Sequence, residues 1–253
     1  MTAPHLAHII RHPVKSVGYQ TLDRAVLEQG RPMPFDRVFA VATEAAKFPG
    51  APEGWVHKRN FLRGAAEGRL QAIRAEFDEE TGTLILRHPD RPAFTGTLPL
   101  DGPALVDWLR PLWPDSRPAP RALVARTDGG ALADVPDPWV AVLSLTSLRE
   151  LGQRMGQDLS IHRFRGNLWL DGLAPWAEFG LIGQDIRIGD TSLRIEERIT
   201  RCVATTYDPE TGLPAGETLA ALDAGWGHKD FGVYARVLTG GPVTLGDSVE
   251  LIR

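Results

Sequence analysis

The chain has one cysteine, Cys202, in 253 residues. A single thiol closes no intrachain disulfide, holds no iron–sulfur cluster and cannot supply the paired thiolates of a structural zinc site. An excess of positive charge is missing too: 28 Lys and Arg stand against 32 Asp and Glu, a net charge of −4. Nucleic-acid and anionic-membrane surfaces normally need a basic face, so neither partner is expected, and any anionic ligand must meet a local cluster of cations. No segment approaches the roughly 20 apolar residues of a membrane span, and Met1 to Pro13 lacks a basic start followed by an apolar run. A soluble cytoplasmic protein is the expectation. Neither a Gly-rich phosphate loop nor a Gly-x-Ser-x-Gly elbow occurs, which removes the easiest support for nucleotide-fold and hydrolase readings.

What is present is a chain of 43% hydrophobic residues with 20 prolines and 26 glycines scattered through it, enough for one large core or two modest ones joined by tight turns. Leu6 to Val14 and Arg37 to Thr43 alternate as strands. Leu70 to Arg87 reads as a hairpin around the turn residues Asp78 to Gly82, and that turn makes Asp78, Glu79 and Glu80 solvated rather than catalytic. Asp101 to Trp113 has helical spacing, with Asp101 as cap, Pro103 in the first turn and Pro111 ending it. Six prolines between Pro111 and Pro138 mark a connection, placing a domain boundary near residue 121. Trp139 to Leu145 then reads as a strand, and Ser147-Leu148-Arg149-Glu150 as a capping box opening a helix closed by Gly156. In the last third, Gly183–Ile195 and Gly240–Leu251 each read as strand, Gly-Asp turn, strand, and such short, close strands favour a compact barrel, with a sandwich as the other fit.

Two readings of Cys202 stand at this level. A lone free cysteine is ordinarily a small buried hydrophobe. If its segment is a strand, however, period two puts Arg198, Thr200 and Cys202 on one face, and a neighbouring Arg198 or Arg201 favours the thiolate over the thiol, whose ordinary pKa is about 8.5. His5, His8 and His12 do not share a strand face, so packing or surface roles suit them better than a metal site.

Four motifs then appear in order: His12-Pro13-Val14-Lys15-Ser16, Asp36-Arg37-Val38-Phe39, Arg163-Phe164-Arg165-Gly166-Asn167 and Arg201-Cys202 through Pro209. Together they resemble the MOSC-domain proteins, within them the group with an N-terminal MOSC-associated domain that includes the mitochondrial amidoxime-reducing component and bacterial reductases of N-hydroxylated bases. The resemblance implies an α+β, β-rich fold: a smaller N-terminal β-rich domain with a few short helices over residues 1–120, and a MOSC β-barrel over 121–253. It also implies a molybdenum cofactor, molybdopterin, with Cys202 as the metal's thiolate ligand. By similarity Lys15, Ser16 and Arg37 bind the cofactor from the N-terminal side, and Arg165, Asn167 and Arg201 from the MOSC side. Ser147, at the expected helix N-terminus, adds a hydroxyl, and Tyr234 matches a tyrosine near the family's site. The implied activity is reduction of a small N-hydroxylated substrate. Some bacterial relatives carry a ferredoxin-like domain with clustered cysteines, whereas this sequence holds only Cys202, so its electrons are expected from a separate reductase or ferredoxin-like protein. The alternative is a non-catalytic sulfur or cofactor carrier using Cys202 as a persulfide.

Overall fold

The computed structural model describes residues 3–252. In chain order the elements are β1 (His5–Arg11), β2 (Gln20–Leu22), β3 (Arg24–Leu27), β4 (Phe39–Thr43), β5 (Arg74–Phe77), β6 (Thr83–His88), β7 (Arg91–Thr97), α1 (Gly102–Leu109), β8 (Pro120–Ala125), β9 (Val140–Ser144), α2 (Leu145–Met155), β10 (Leu168–Asp171), β11 (Asp185–Ile188), β12 (Thr191–Thr200), α3 (Thr218–Trp226), β13 (Asp230–Thr239), β14 (Gly241–Thr244) and β15 (Val249–Ile252). Short 3₁₀ turns lie between several of them. The molecule is mostly sheet with few helices, as expected.

One sheet of eight strands has the order β15-β11-β12-β13-β9-β10-β1-β2. Strand pairing does not close it into a ring; a single antiparallel bridge, His5 to Ser248, ties the start of β1 to the segment before β15. Its inner face buries Leu6, Ile9, Val142, Leu168, Ile195 and Val233. Each such side chain contributes roughly 1.5–3 kcal/mol on leaving water.

Residues 39–125 make two of the three smaller sheets, and the third pairs β3 with β14. β4 pairs with β8, and β5, β6 and β7 form a meander whose apolar face packs with α1 around Leu70, Leu84, Leu86, Leu105, Leu109 and Trp113. The sheets thus sort the chain differently from a cut at residue 121. β1 and β2, from the first 22 residues, pair within the sheet that otherwise holds residues 140–252, while β8 runs through the cut and stays with β4. The proline-rich stretch contains this strand because Pro120, at its first position, needs no ladder hydrogen bond.

Local chemistry accounts for most of the remaining departures. α2 starts three residues earlier than the capping-box reading, because Ser144 is the cap and its side chain accepts from the Ser147 amide. Gly156 ends it in the left-handed region at φ 66°, as expected. Asp101 precedes α1 without capping it, since its carboxylate accepts from the Thr97 amide at 2.7 Å instead. The two Gly-Asp segments part company as well. β11 and β12 form a hairpin, but β14 pairs with β3 and β15 with β11, so the second segment divides between two sheets.

Candidate functional site

A cavity of about 380 Å³ opens where the large sheet meets the smaller ones. Its wall carries eight cationic side chains (Lys15, Arg37, Lys58, Arg63, Arg163, Arg165, Arg198, Arg201) against three carboxylates (Asp36, Asp134, Glu197). This concentration arises in a protein whose total charge is negative.

The first two motifs lie side by side. The Lys15 amide donates to Phe39 O at 2.7 Å, the Phe39 amide to Pro13 O at 3.1 Å, and the Arg37 amide to His12 O at 2.6 Å. Ser16, Arg37 and Arg165, all on the cavity wall, have φ of 62°, 53° and 48°, and they are three of the five described non-glycine residues in the left-handed region. Such conformations cost on the order of 1–3 kcal/mol each and persist only where surrounding contacts over-determine them. Here the contacts interlock. Arg37 ion-pairs with Asp36 and donates through Nη2 to Arg165 O at 2.9 Å, and Arg165 donates through Nη1 to Gly18 O at 2.9 Å. Asp36 accepts from the His12 amide at 2.7 Å and lies 3.0 Å from its Nδ1. Burial opposes ionisation of Asp36, but Arg37 and His12 outweigh it and hold the carboxyl well below its usual range.

Among the described residues four cations on the wall, Arg63, Arg163, Arg165 and Arg201, make no ion pair with a carboxylate. Arg201 donates to the carbonyls of Phe231 and Phe164 at 2.5–2.8 Å, and Arg165 holds only Gly18 O while its Nη2 is buried without a partner. Desolvation lowers Arg165 to about 9, with Arg37 adding to the effect, and lowers Arg201 to about 10. Both sites therefore favour an added anion.

Cys202 lies just past the end of β12, which stops at Thr200, and caps a 3₁₀ turn over Val203–Thr206 with extended backbone. It is exposed and lines the cavity, which removes the buried-hydrophobe reading. Tyr234, on β13, lies on the same wall with its ring 5.5 Å from that of Trp139.

Of the residues singled out in the sequence, Lys15, Ser16, Arg37, Arg165, Asn167, Arg201, Cys202 and Tyr234 all line this cavity. Asn167 is nevertheless fully engaged as a staple: its Oδ1 accepts from the Ala141 amide and its Nδ2 donates to Ile10 O, both at 3.1 Å. Ser147 lies elsewhere. It is buried in the first turn of α2, donates to Glu178 Oε2 at 2.9 Å and accepts from the Trp176 amide, so the expected place at the cavity does not hold. The earlier start of α2 moves Ser147 off the free helix terminus. Sequence reasoning missed Lys58, Arg63 and Asp134, which reach the wall from a 3₁₀ turn and irregular segments with no periodic signal, and Trp139, which it read only as the start of a strand. The three N-terminal histidines make no metal cluster, and among the described residues no group of three metal-ligating side chains occurs.

Comparison with known proteins bears on the part of the chain that supplies Arg165, Arg201, Cys202 and Tyr234. Residues 131–250 match the MOSC domain. This part of the chain is similar to MOSC domains. It is 32% identical over 123 residues to mitochondrial amidoxime-reducing component 1 of Mus musculus and 29% identical over the same length to that of Homo sapiens, covering 44% of this chain in each case. The alignments span 36% of the length of these relatives. Among solved structures, YiiM from Geobacillus stearothermophilus aligns with 45% of this chain and 54% of its own at a TM-score of 0.36 and 18% identity. The YUAD protein from Bacillus subtilis aligns with 99% of this chain and 98% of its own at a TM-score of 0.45 and 12% identity. No helix of the described residues is long and apolar enough to cross a membrane.

Proposed function

We propose that this chain is an oxidoreductase that reduces N-hydroxylated compounds, holding a molybdenum–pterin cofactor in the cavity with the Cys202 thiolate on the metal and taking electrons from a separate protein. The observation that carries the reading is an exposed cysteine on a wall where Arg165 and Arg201 have no counter-ion. The residues fit the group. An anionic dithiolene and phosphate need focused cations, Arg165 Nη2 is an orphaned buried donor, and a soft thiolate suits a thiophilic metal. The similarity to the amidoxime-reducing components supports the same assignment. In this reading the large sheet, completed by β1 and β2, is the MOSC part, the sheets of residues 39–125 are the MOSC-associated part, and the protein works in the cytoplasm.

When bound, the cofactor supplies two electrons that, with two protons, convert an N–OH group to N–H and water. Everything else falls to the chain. Lys15, Arg37, Arg165 and Arg201 hold the negative charge, and the interlocked Asp36–Arg37–Arg165 contacts fix its orientation before anything binds. Trp139 and Tyr234 form an aromatic wall that keeps water from part of the cavity. Burial raises the Tyr234 pKa, so its hydroxyl keeps its proton and remains a donor toward a bound substrate.

The test uses protein made in a host that synthesises the cofactor, with reduced viologen as electron source and an amidoxime as substrate. Wild type is expected to turn over and Cys202→Ala to be inactive; unchanged turnover in the variant removes Cys202 from the site. A persulfide on Cys202 with no pterin and no reductase activity makes the chain a carrier instead.

A further inference from the structure

The segment between β8 and β9 crosses the cavity as a strap. Ala131, Ala133, Asp134 and Val135 all line it. The Leu132 amide donates to Arg37 O at 2.8 Å, and Trp55 Nε1 to Ala133 O at 3.1 Å, so the strap's backbone is fixed on both sides of Leu132. From this fixed backbone Asp134 reaches two lysines at once. Its Oδ1 is 2.5 Å from Lys15 Nζ and its Oδ2 is 3.0 Å from Lys58 Nζ.

The pair is unequal in its access to water. The Lys15 side chain is 3% exposed and donates also to Leu132 O at 2.8 Å, whereas the Asp134 side chain is 46% exposed. A buried ammonium cannot be left without an anion, but the carboxylate can rotate into water at little cost. We propose that Asp134 is a displaceable counter-ion that fills a two-lysine seat, formed by Lys15 and Lys58, built for a phosphoryl group. While the seat is without an external anion, Asp134 compensates both ammonium groups. A phosphoryl group carries more charge and three acceptor oxygens, so it takes the seat and the carboxylate turns to solvent. Lys15 and Lys58 hold Asp134 ionised against the opposing effect of burial, so it competes with the ligand at any pH near neutral. The inference rests on reading the cavity as an anion site and needs neither molybdenum nor turnover, so its failure is distinct from failure of the proposed activity.

The test measures binding of inorganic pyrophosphate by calorimetry to the full chain purified from a host lacking the cofactor. Asp134→Asn is expected to bind at least tenfold more tightly than wild type, and Asp134→Glu to behave as wild type. Lys58→Met is expected to weaken binding. Equal or weaker binding by Asp134→Asn overturns the proposal, since the carboxylate would then be irrelevant to the anion or itself a ligand contact. Should Asp134→Asn be unfolded in anion-free buffer, recovery of its native circular dichroism on adding pyrophosphate supports the proposal, and failure to recover contradicts it.

Discussion

Cys202 differs from the other motif side chains on the cavity wall in costing the fold little. It is exposed and past the end of its strand, so Cys202→Ala is expected to change stability by less than about 0.5 kcal/mol, as read from denaturant unfolding. Arg201, its neighbour, is the opposite case. Its guanidinium satisfies the carbonyls of Phe164 and Phe231, and Arg201→Met leaves both unpaired. A loss on the order of 2–3 kcal/mol is expected in the same measurement. Glu178 gives a pH signature away from the cavity. Burial raises its pKa to about 7, and only Ser147 offers it a side-chain hydrogen bond. The folded state therefore keeps the proton that the unfolded chain releases near the ordinary carboxylate pKa. Its contribution is fully present below about pH 4.5 and is lost as pH rises through about 7, an effect on the order of 3 kcal/mol. Glu178→Gln is expected to be more stable than wild type at pH 8 and nearly equal to it at pH 5, by urea denaturation at each pH. At this scale Lys15, Arg37, Arg165 and Cys202 were legible because each sits in a short motif. Lys58 and Asp134 carried no such mark, since only the fold brings residues 76 positions apart to one seat.

Among the elements, β13 is tightly constrained where it passes β9. Gly232 within it has φ 76°, and a Cβ there would lie 2.6 Å from Leu143 Cγ and 2.9 Å from Val142 O. Gly232→Ala is therefore expected to cost at least about 2 kcal/mol through backbone strain and collision with β9, measured as a lowered unfolding midpoint. The strands with alternating or continuously apolar runs, β1, β4, β5, β6, β9, β11 and β12, were readable from sequence with ends shifted by a few residues. β8 was not, because Pro120 lies in the proline-rich stretch read as a connection, where it occupies a strand position that tolerates a missing amide, and β7 drew no reading at all. α3 escaped notice because it lies in a stretch rich in Gly and Pro and buries only Thr218 and Leu222 fully.

For the whole molecule the decisive feature is that the first residues complete a sheet otherwise built from the last half of the chain. β1 lies between β10 and β2, and it delivers Leu6 and Ile9 to the core of that sheet. Residues 126–253 alone would leave one edge of β10 unpaired and that core incomplete. Such a fragment is expected to lack a cooperative thermal transition; a sharp transition would show that the MOSC part folds by itself. The same interleaving explains why the cavity draws Lys15 and Arg37 from one end of the sequence and Cys202 and Tyr234 from the other. Composition alone could not reveal it: a net charge of −4 conceals a wall where eight cations face three carboxylates. The central claim is that this wall holds a molybdenum–pterin group on Cys202. Metal and pterin analysis of wild-type protein and Cys202→Ala, both made in a host that synthesises the cofactor, tests it most directly. The account predicts molybdenum and pterin near one per wild-type chain, with molybdenum lost or greatly reduced in the variant; wild-type protein free of both would contradict it.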